Sequence, residues 1–303
     1  MNGGPPERLG ERPEFTKLGA VHPSRPLVLE TAAASSPRTA EIQRVVDLVC
    51  PLGFGQRALI VSPPKAGKTV MLQAVAEAVA LNYPEAILIV LLVDERPEEV
   101  SEMVDWGRGE VIASSFDLPQ ARHVAVAEMV FEHARRQVES GRDVVIVLDS
   151  LTRLARSHNT AGRSSRRTLS GGLDANALAK PKAMFGAARA VPDGGSLTVI
   201  ATALVETESR MDDVIFEEFK GTGNAELRLS RALADRRIYP AVDLAASGTR
   251  REELLGDPAR VAARQALRRG LVGLPPERAM EGLLTLVRRY RSNTELLAGM
   301  KPA

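Results

Sequence analysis

The octet Ser62-Pro63-Pro64-Lys65-Ala66-Gly67-Lys68-Thr69, set between an apolar run and an amphipathic one, narrows the possible folds more than any other feature of this chain. Ala58 to Val61 reads as a short buried strand, and Ser62, Pro63 and Pro64 stop it. Lys68 to Leu81 reads as a helix with Met71, Leu72, Val75 and Val79 on one face. A strand, a loop ending in Gly-Lys-Thr and a helix make a phosphate-binding loop. In such a loop, backbone N–H groups and the helix N-terminus surround phosphate oxygens with positive partial charge. Pro64, Lys65, Ala66, Gly67, Lys68, Thr69 and Val70 are therefore the candidate nucleotide-binding residues. Lys68 is expected to reach the β- and γ-phosphates of ATP, and the Thr69 hydroxyl to ligate Mg²⁺. Ser62 stands where the pattern has its first glycine, and the two prolines stiffen the loop.

The same alternation continues along the chain. Ala86 to Val93, Asp143 to Leu148 and Leu197 to Ala203 are aliphatic runs of strand length, and Val111 to Ala113 is a shorter one. Between them, Pro119 to Glu139 carries Val124, Ala127, Phe131, Ala134 and Val138 at helical spacing. Buried strands separated by helices predict an α/β fold with a mostly parallel central sheet flanked by helices, its ligands gathered at the strands' carboxyl ends. Ala225 to Val242 alternates more and is expected to add strands at one edge. Three helical stretches follow from Pro258, the middle one opened by Pro275 and Pro276. Residues 1–40, rich in proline and glycine, read as an arm and connector; 41–303 read as the α/β domain, with 258–303 its helical C-terminal part.

Composition removes several alternatives. Lys and Arg number 40 against 38 Asp and Glu, so affinity for nucleic acid has to come from local patches. Aromatic residues are 4% of the chain, too few to suggest a base-stacking platform. The single cysteine, Cys50, excludes an internal disulfide and suits a reducing compartment. The longest apolar run falls far short of the roughly 20 residues a membrane helix needs, and the N-terminus lacks the apolar core of a secretory signal. A cytoplasmic location without membrane contact is the expectation.

Two carboxylate positions complete the phosphate loop. Asp149 ends the run Val144 to Leu148, where an acid beside a phosphate loop completes the Mg²⁺ shell. Asp94 and Glu95 follow the run Ala86 to Val93 in the same way, and one of them could orient and deprotonate an attacking water. Glu95 is the first candidate and Asp94 the second; the competing reading makes both, with Glu98 and Glu99, a solvated acidic helix start, which Pro97 would also suit. Between Asp149 and Asp174 there is no acidic residue, while Arg153, Arg156, Arg163, Arg166, Arg167 and His158 occur there. That interval reads as an unstructured basic loop able to grip a phosphodiester backbone, or as a loop whose charges simply stay in water. The four histidines have no metal-ligand spacing.

Taken in order, these motifs resemble one family. Pro63 to Thr69, Asp94-Glu95-Arg96-Pro97-Glu98-Glu99-Val100, Leu148-Asp149-Ser150-Leu151-Thr152-Arg153, Gly171-Gly172-Leu173-Asp174-Ala175-Asn176, Glu218-Phe219-Lys220-Gly221-Thr222-Gly223-Asn224 and Ser247-Gly248-Thr249-Arg250 are similar to the motor half of transcription termination factor Rho proteins. The resemblance covers roughly Phe15 to Leu255. It implies a RecA-like P-loop ATPase, a homohexameric ring that translocates on single-stranded RNA threaded through its pore, with RNA polymerase and elongation factors as possible partners. Glu95 would be the catalytic base, Asp149 the Mg²⁺-associated carboxylate, and Arg250 an arginine finger reaching a neighbour's ATP; the Ser-Gly-Thr-Arg match selects Arg250 over Arg251. Arg96 and Arg237 would lie near nucleotide and subunit interface, and Tyr239 would pack on adenine, unless it is simply a core tyrosine. One pore loop would run from Arg167 through Thr168, Leu169, Ser170, Gly171 and Gly172 to Lys180. The other would span Glu208 to Asp212, with Arg210 as its basic residue.

The family's N-terminal oligonucleotide-binding barrel has no counterpart in the sequence, where Phe15 to Glu30 resembles the connector that precedes the motor. Weak, salt-sensitive RNA affinity with the pore site retained is the consequence expected. The alternative function is a ring-forming P-loop ATPase subunit uncoupled from RNA, serving assembly or protein translocation.

Overall fold

The aliphatic runs read from the sequence lie side by side at the centre of one sheet. The computed structural model describes residues 13–162, 172–174, 176–192 and 194–300. In chain order its elements are β1 (Pro26–Leu27), α1 (Pro37–Val49), β2 (Leu52–Gly53), β3 (Arg57–Ser62), α2 (Lys68–Asn82), β4 (Ile87–Glu95), α3 (Pro97–Trp106), β5 (Glu110–Ser115) and α4 (Gln120–Glu139). Then come β6 (Asp143–Asp149), α5 (Leu151–Ala161), α6 (Ala179–Gly186), β7 (Arg189–Ala190), β8 (Ser196–Leu204), α7 (Arg210–Lys220), β9 (Ala225–Arg228), α8 (Arg231–Asp235) and β10 (Gly248–Thr249). Helices α9 (Pro258–Val272), α10 (Pro276–Arg289) and α11 (Asn293–Ala298) close the chain.

The main sheet runs β10-β9-β3-β8-β6-β4-β5, with the short β7 against β8. From β9 to β5 every neighbouring pair is parallel, and only β10 and β7 run the other way. Strands β8 and β6 therefore sit between β3 and β4, and the carboxyl ends of β3, β8, β6 and β4 share one rim of the sheet.

Alternation along these strands divides the core in two. Ala58, Ile60, Val90, Leu92, Val145, Val147 and Ile200 face α1, α2 and the C-terminal helices, whereas Leu59, Val61, Leu91, Ile146, Leu148, Val199 and Ala201 face α4 to α7. Both faces are covered, which is why the central strands lack the polar alternation of a half-exposed sheet. Each fully buried aliphatic side chain contributes about 1.5–3 kcal/mol relative to exposure.

Two sequence expectations are corrected. Ala225 to Val242 holds one strand, β9, followed by helix α8, with only a bridge between Leu229 and Val242 beyond it. Ser230 caps α8 by accepting the Leu233 N–H, so a local cap overrides the apparent alternation there. Nor is the stretch after Asp149 an unstructured loop, since Leu151–Ala161 is helical. The Ser150 hydroxyl caps α5, and Leu151, Leu154, Ala155 and His158 bury one face. Of the connector, Leu29 and Glu30 donate backbone N–H bonds to Asp47 of α1, and β1 pairs with β2.

Candidate nucleotide site

The turn after β3 places Lys68 where the sheet's carboxyl rim collects its acids. Lys65 (φ 63°) and Gly67 (φ 94°) turn the backbone through the left-handed region before α2 begins at Lys68. Glycine adopts that conformation without the cost a Cβ imposes, so Gly67 fits its position on backbone grounds alone. Ala66 is buried, Pro64 and Lys65 are exposed, and Thr69 and Val70 lie half-buried in the first turn of α2.

The Lys68 ammonium sits 2.6 Å from Asp149 Oδ1 and 3.1 Å from Glu95 Oε1. Sheet register explains the convergence. Leu92 of β4 pairs with Asp149 of β6, so Glu95 lies just beyond Asp149 on the adjacent strand, and the sequence placed both correctly at strand ends. Thr202 on β8 donates to Asp149 Oδ1 at 2.7 Å and fixes that carboxylate from the other side. Sequence reading missed Thr202; its signal is a hydroxyl near the carboxyl end of a buried strand, legible only once β8 is known to neighbour β6.

Asp149 and Glu95 are 3% and 1% exposed, so their charges interact in a weakly screened environment. Burial first, then the Asp149 carboxylate, pushes Glu95 up to about 7, against the pull of Lys68 and Arg153. Burial works against the Lys68 ammonium, but Asp149 and Glu95 outweigh it and hold the group above its ordinary range. A carboxyl group poised near neutrality beside a buried lysine and a second acid is a candidate general base.

Helix α5 carries the site outward. Arg153 lies 3.4 Å from Glu95 Oε2 and also donates to the Asp94 carbonyl. One turn on, Arg156 makes a two-pronged pair with Asp212 of α7, at 2.7 and 2.5 Å. These two arginines, expected from sequence in a basic loop, are thus neutralised by acids remote in the chain. Replacing Arg156 with Ala leaves the fully buried Asp212 carboxylate with the Thr207 hydroxyl and is expected to cost about 1–3 kcal/mol. A thermal melt indistinguishable from that of the unchanged chain would show that the pair adds nothing.

Tyr239 lies against the phosphate loop: a Cβ built on Gly67 would stand 3.9 Å from its ring carbons. The Arg38 guanidinium lies 5.3 Å from the ring centroid, and the Tyr239 hydroxyl donates to the Ala234 carbonyl. Arg231 donates to the Pro64 carbonyl at 3.2 Å. Neither Arg38 nor Arg231 was singled out from sequence. Arg237 (φ 61°) is exposed two residues before Tyr239, and Arg96 is exposed at the start of α3. That helix has Glu98 and Glu99 in its first turn, so the acidic helix start and the strand-end carboxylate are both present.

Arg250 is elsewhere. Its backbone N–H donates to the Asn224 carbonyl, and Asn224 accepts from the Arg57 N–H at the start of β3. It therefore stands at the amino end of the sheet, opposite the phosphate loop. Arg250 is exposed, whereas Arg251 pairs with Glu253 at 2.5 Å.

Of the residues read as RNA contacts, Arg210 is exposed as the first residue of α7, two positions before Asp212. Lys180 is exposed and paired with Glu128 at 2.7 Å, and Gly172 is exposed with φ 77°. Arg167, Thr168, Leu169, Ser170 and Gly171 lie outside the described residues, as do Arg163 and Arg166. Among the described residues no group of three or more His, Cys, Asp or Glu side chains is arranged to hold a metal. None of their helices is long and apolar enough to cross a membrane.

Comparison with known proteins bears on the family and the fold. Residues 43–249 match the ATP synthase alpha/beta family, nucleotide-binding domain. The chain is 60% identical over 303 residues to the transcription termination factor Rho of Gemmatimonas aurantiaca, with 99% of the chain and 41% of that protein covered. It is 54% identical to that of Mycobacterium bovis, covering 98% of the chain and 48% of the relative. Against that of Streptosporangium roseum it is 56% identical, covering 94% and 73%. The chain thus spans less than half the length of the first two relatives and about three quarters of the third. In solved structures, an ATPase of a bacterial type III secretion system superposes with a TM-score of 0.75 at 19% identity, covering 95% of this chain and 89% of that one. That likeness bears on the fold alone.

Proposed function

The chain belongs to the transcription termination factor Rho family, and on that premise we propose that it hydrolyses ATP at the interfaces of a homohexameric ring and uses the energy to move on single-stranded RNA and promote transcription termination. The observation that carries this reading is the convergence of Lys68, Asp149 and Glu95 at the carboxyl rim, directly behind the phosphate loop.

The donor set fits a magnesium nucleotide. Mg²⁺ bound with phosphates needs only one or two protein carboxylates or hydroxyls, and Thr69 with Asp149 would supply them. Bound there, the ion would neutralise charge on the β- and γ-phosphate oxygens. Lys68 adds a second positive charge on the same oxygens. Glu95 accepts a proton from the water whose oxygen attacks the γ-phosphorus, as the bond to the leaving ADP oxygen breaks. Tyr239 offers its ring to adenine beside Gly67, and Arg96 and Arg237 flank the mouth. Arg250 cannot serve the phosphate loop of its own chain from the far end of the sheet, which supports delivery to a neighbouring copy.

Helix α5 supports coupling to RNA. One of its arginines touches Glu95, another ties to α7 two residues from Arg210, and its C-terminus precedes the stretch Arg167 to Lys180 in which the first pore loop is expected. Cytoplasmic location and contact with RNA polymerase or elongation factors follow from the same family reading.

The deciding experiment is the ATPase rate with and without single-stranded RNA, with Lys68→Ala as the silent control. RNA should raise the rate, and Arg167→Ala or Arg210→Ala should diminish that stimulation while leaving RNA-free hydrolysis in place. Hydrolysis that ignores RNA would instead favour the uncoupled ring ATPase.

A further inference from the structure

Glu95 does not reach Lys68 by ordinary strand geometry. The register between β4 and β5 slips between Val93 and Glu95, and Asp94 takes φ 58°. Such a bulge re-aims the side chains beside it and has to be held by its surroundings. Three of the contacts that hold it are already clear. Arg153 donates to the Asp94 carbonyl, the Phe116 N–H donates to the Glu95 carbonyl at 2.9 Å, and Lys68 takes the Glu95 carboxylate.

A fourth contact comes from the side chain of His123. His123, in the first turns of α4, has no solvent exposure, and its Nδ1 lies 2.7 Å from Ser114 Oγ on β5. Its Nε2 is buried, has no hydrogen-bond partner among the described residues, and lies 3.6 Å from Asp94 Oδ1. Burial lowers the imidazole's proton affinity and keeps the ring neutral, against the pull of Asp94 and Asp117. A neutral ring has one N–H. The facing carboxylate selects Nε2 for it, which leaves Nδ1 to accept the Ser114 hydroxyl proton.

We propose that His123 is a positioning residue for ATP hydrolysis: braced by Ser114, it holds the Asp94 carboxylate and so fixes the bulge that presents Glu95 to the attacking water. It touches neither nucleotide nor water. The proposal rests on Glu95 being the base. It predicts that loss of the imidazole N–H lowers turnover while leaving nucleotide affinity alone, because Lys68, Thr69 and Tyr239 belong to other elements.

The test compares His123→Gln, His123→Asn and His123→Leu in the full chain, alongside Asp94→Ala and Glu95→Gln. A glutamine amide nitrogen can occupy roughly the position of Nε2, whereas an asparagine amide reaches only the position of Nδ1. His123→Gln should stay within a few-fold of the natural kcat. His123→Asn, His123→Leu and Asp94→Ala should each lose on the order of 10- to 100-fold in kcat, the scale expected of a small misplacement at a reacting group. The ADP dissociation constant and melting temperature should change little. The His123→Leu, Asp94→Ala double variant should be no slower than the slower single.

Equal rates for Gln and Asn, or losses that add in the double variant, would overturn the positioning role while a silent Glu95→Gln left the base intact. Loss of ADP affinity and melting temperature in step with kcat would reduce His123 to a structural residue. If the Leu and Asn variants fail to fold, Asp94→Ala beside His123→Gln decides on the same readouts. Near-natural activity in Glu95→Gln would remove the base and this proposal with it.

Discussion

A chain carrying Glu95→Gln is expected to bind MgATP as the natural chain does and to hydrolyse it about 10²–10⁴-fold more slowly. Glutamine keeps the shape of the side chain and an oxygen able to accept from Lys68, so the phosphate loop should keep its geometry. What it loses is the ability to take a proton. Glu95 is buried, and burial together with Asp149 pushes it up to about 7. With the ionised form as the proposed base, kcat/KM for the natural chain should climb as pH rises through about 7. The Gln variant should lack that limb.

For folding, the sign is the reverse. A carboxyl whose folded pKa exceeds its unfolded value contributes stability that is fully present below the unfolded pKa. That contribution is lost as pH rises through about 7. Removing the titrating group should therefore flatten the stability profile between the unfolded carboxylate range and neutrality. A variant turning over within tenfold of the natural rate would move the base elsewhere, to Asp94 first. Lost nucleotide affinity would make Glu95 a structural partner of Lys68.

Much of this site was open to a reader of the sequence because it is local. A phosphate loop declares itself by strand, turn and helix in one contiguous stretch, and strand-end acids are visible wherever an aliphatic run stops at Asp149 or at Asp94-Glu95. The layered α/β architecture was open for the same reason, since it follows from run length and helical spacing. The parts that were hidden depend on strands meeting across the sheet. Thr202 matters because β8 lies beside β6, and His123 matters because α4 returns over the bulge in β4. The basic interval after Asp149 reads as a loop because it holds no acid of its own to pair with its arginines. Their partners, Glu95 and Asp212, lie 58 positions before Arg153 and 56 after Arg156, distances at which sequence pattern carries no pairing information. At Ala225 to Val242, where alternation predicts strands at one edge, the local Ser230 cap ends the pattern after β9 and starts α8.

Arg250→Ala is expected to give the larger loss, about 10³–10⁵-fold in ATP turnover, the range associated with removing an arginine finger. Its backbone is tied to Asn224, beside the first residue of β3, whereas the phosphate loop follows the last. Six residues of strand at about 3.3 Å each separate the two by nearly 20 Å, well beyond one arginine side chain. The segment around it, Ser247 to Glu252, forms an Arg250 arm that is nevertheless well held. Arg268 of α9 donates to the Ser247 carbonyl at 2.5 Å, and Gln265 donates to Glu252 Oε1 at 3.1 Å, so both sides of Arg250 are anchored to one helix while its own side chain is left exposed. An anchored, exposed arginine at the far end of the sheet from its own nucleotide site suits action on a second copy. Subunit mixing tests this directly. Chains with Arg250→Ala keep an intact phosphate loop, and chains with Lys68→Ala keep an intact arm, so each should be nearly inactive alone. In mixed rings some interfaces join the intact loop of one to the intact arm of the other, and RNA-stimulated ATPase should reappear there. If mixing restores nothing although both variants assemble and the Arg250→Ala chain binds ATP normally, then Arg250 does not act across the interface, and an arginine nearer the loop, Arg237 or Arg96, has to carry the charge of the transition state.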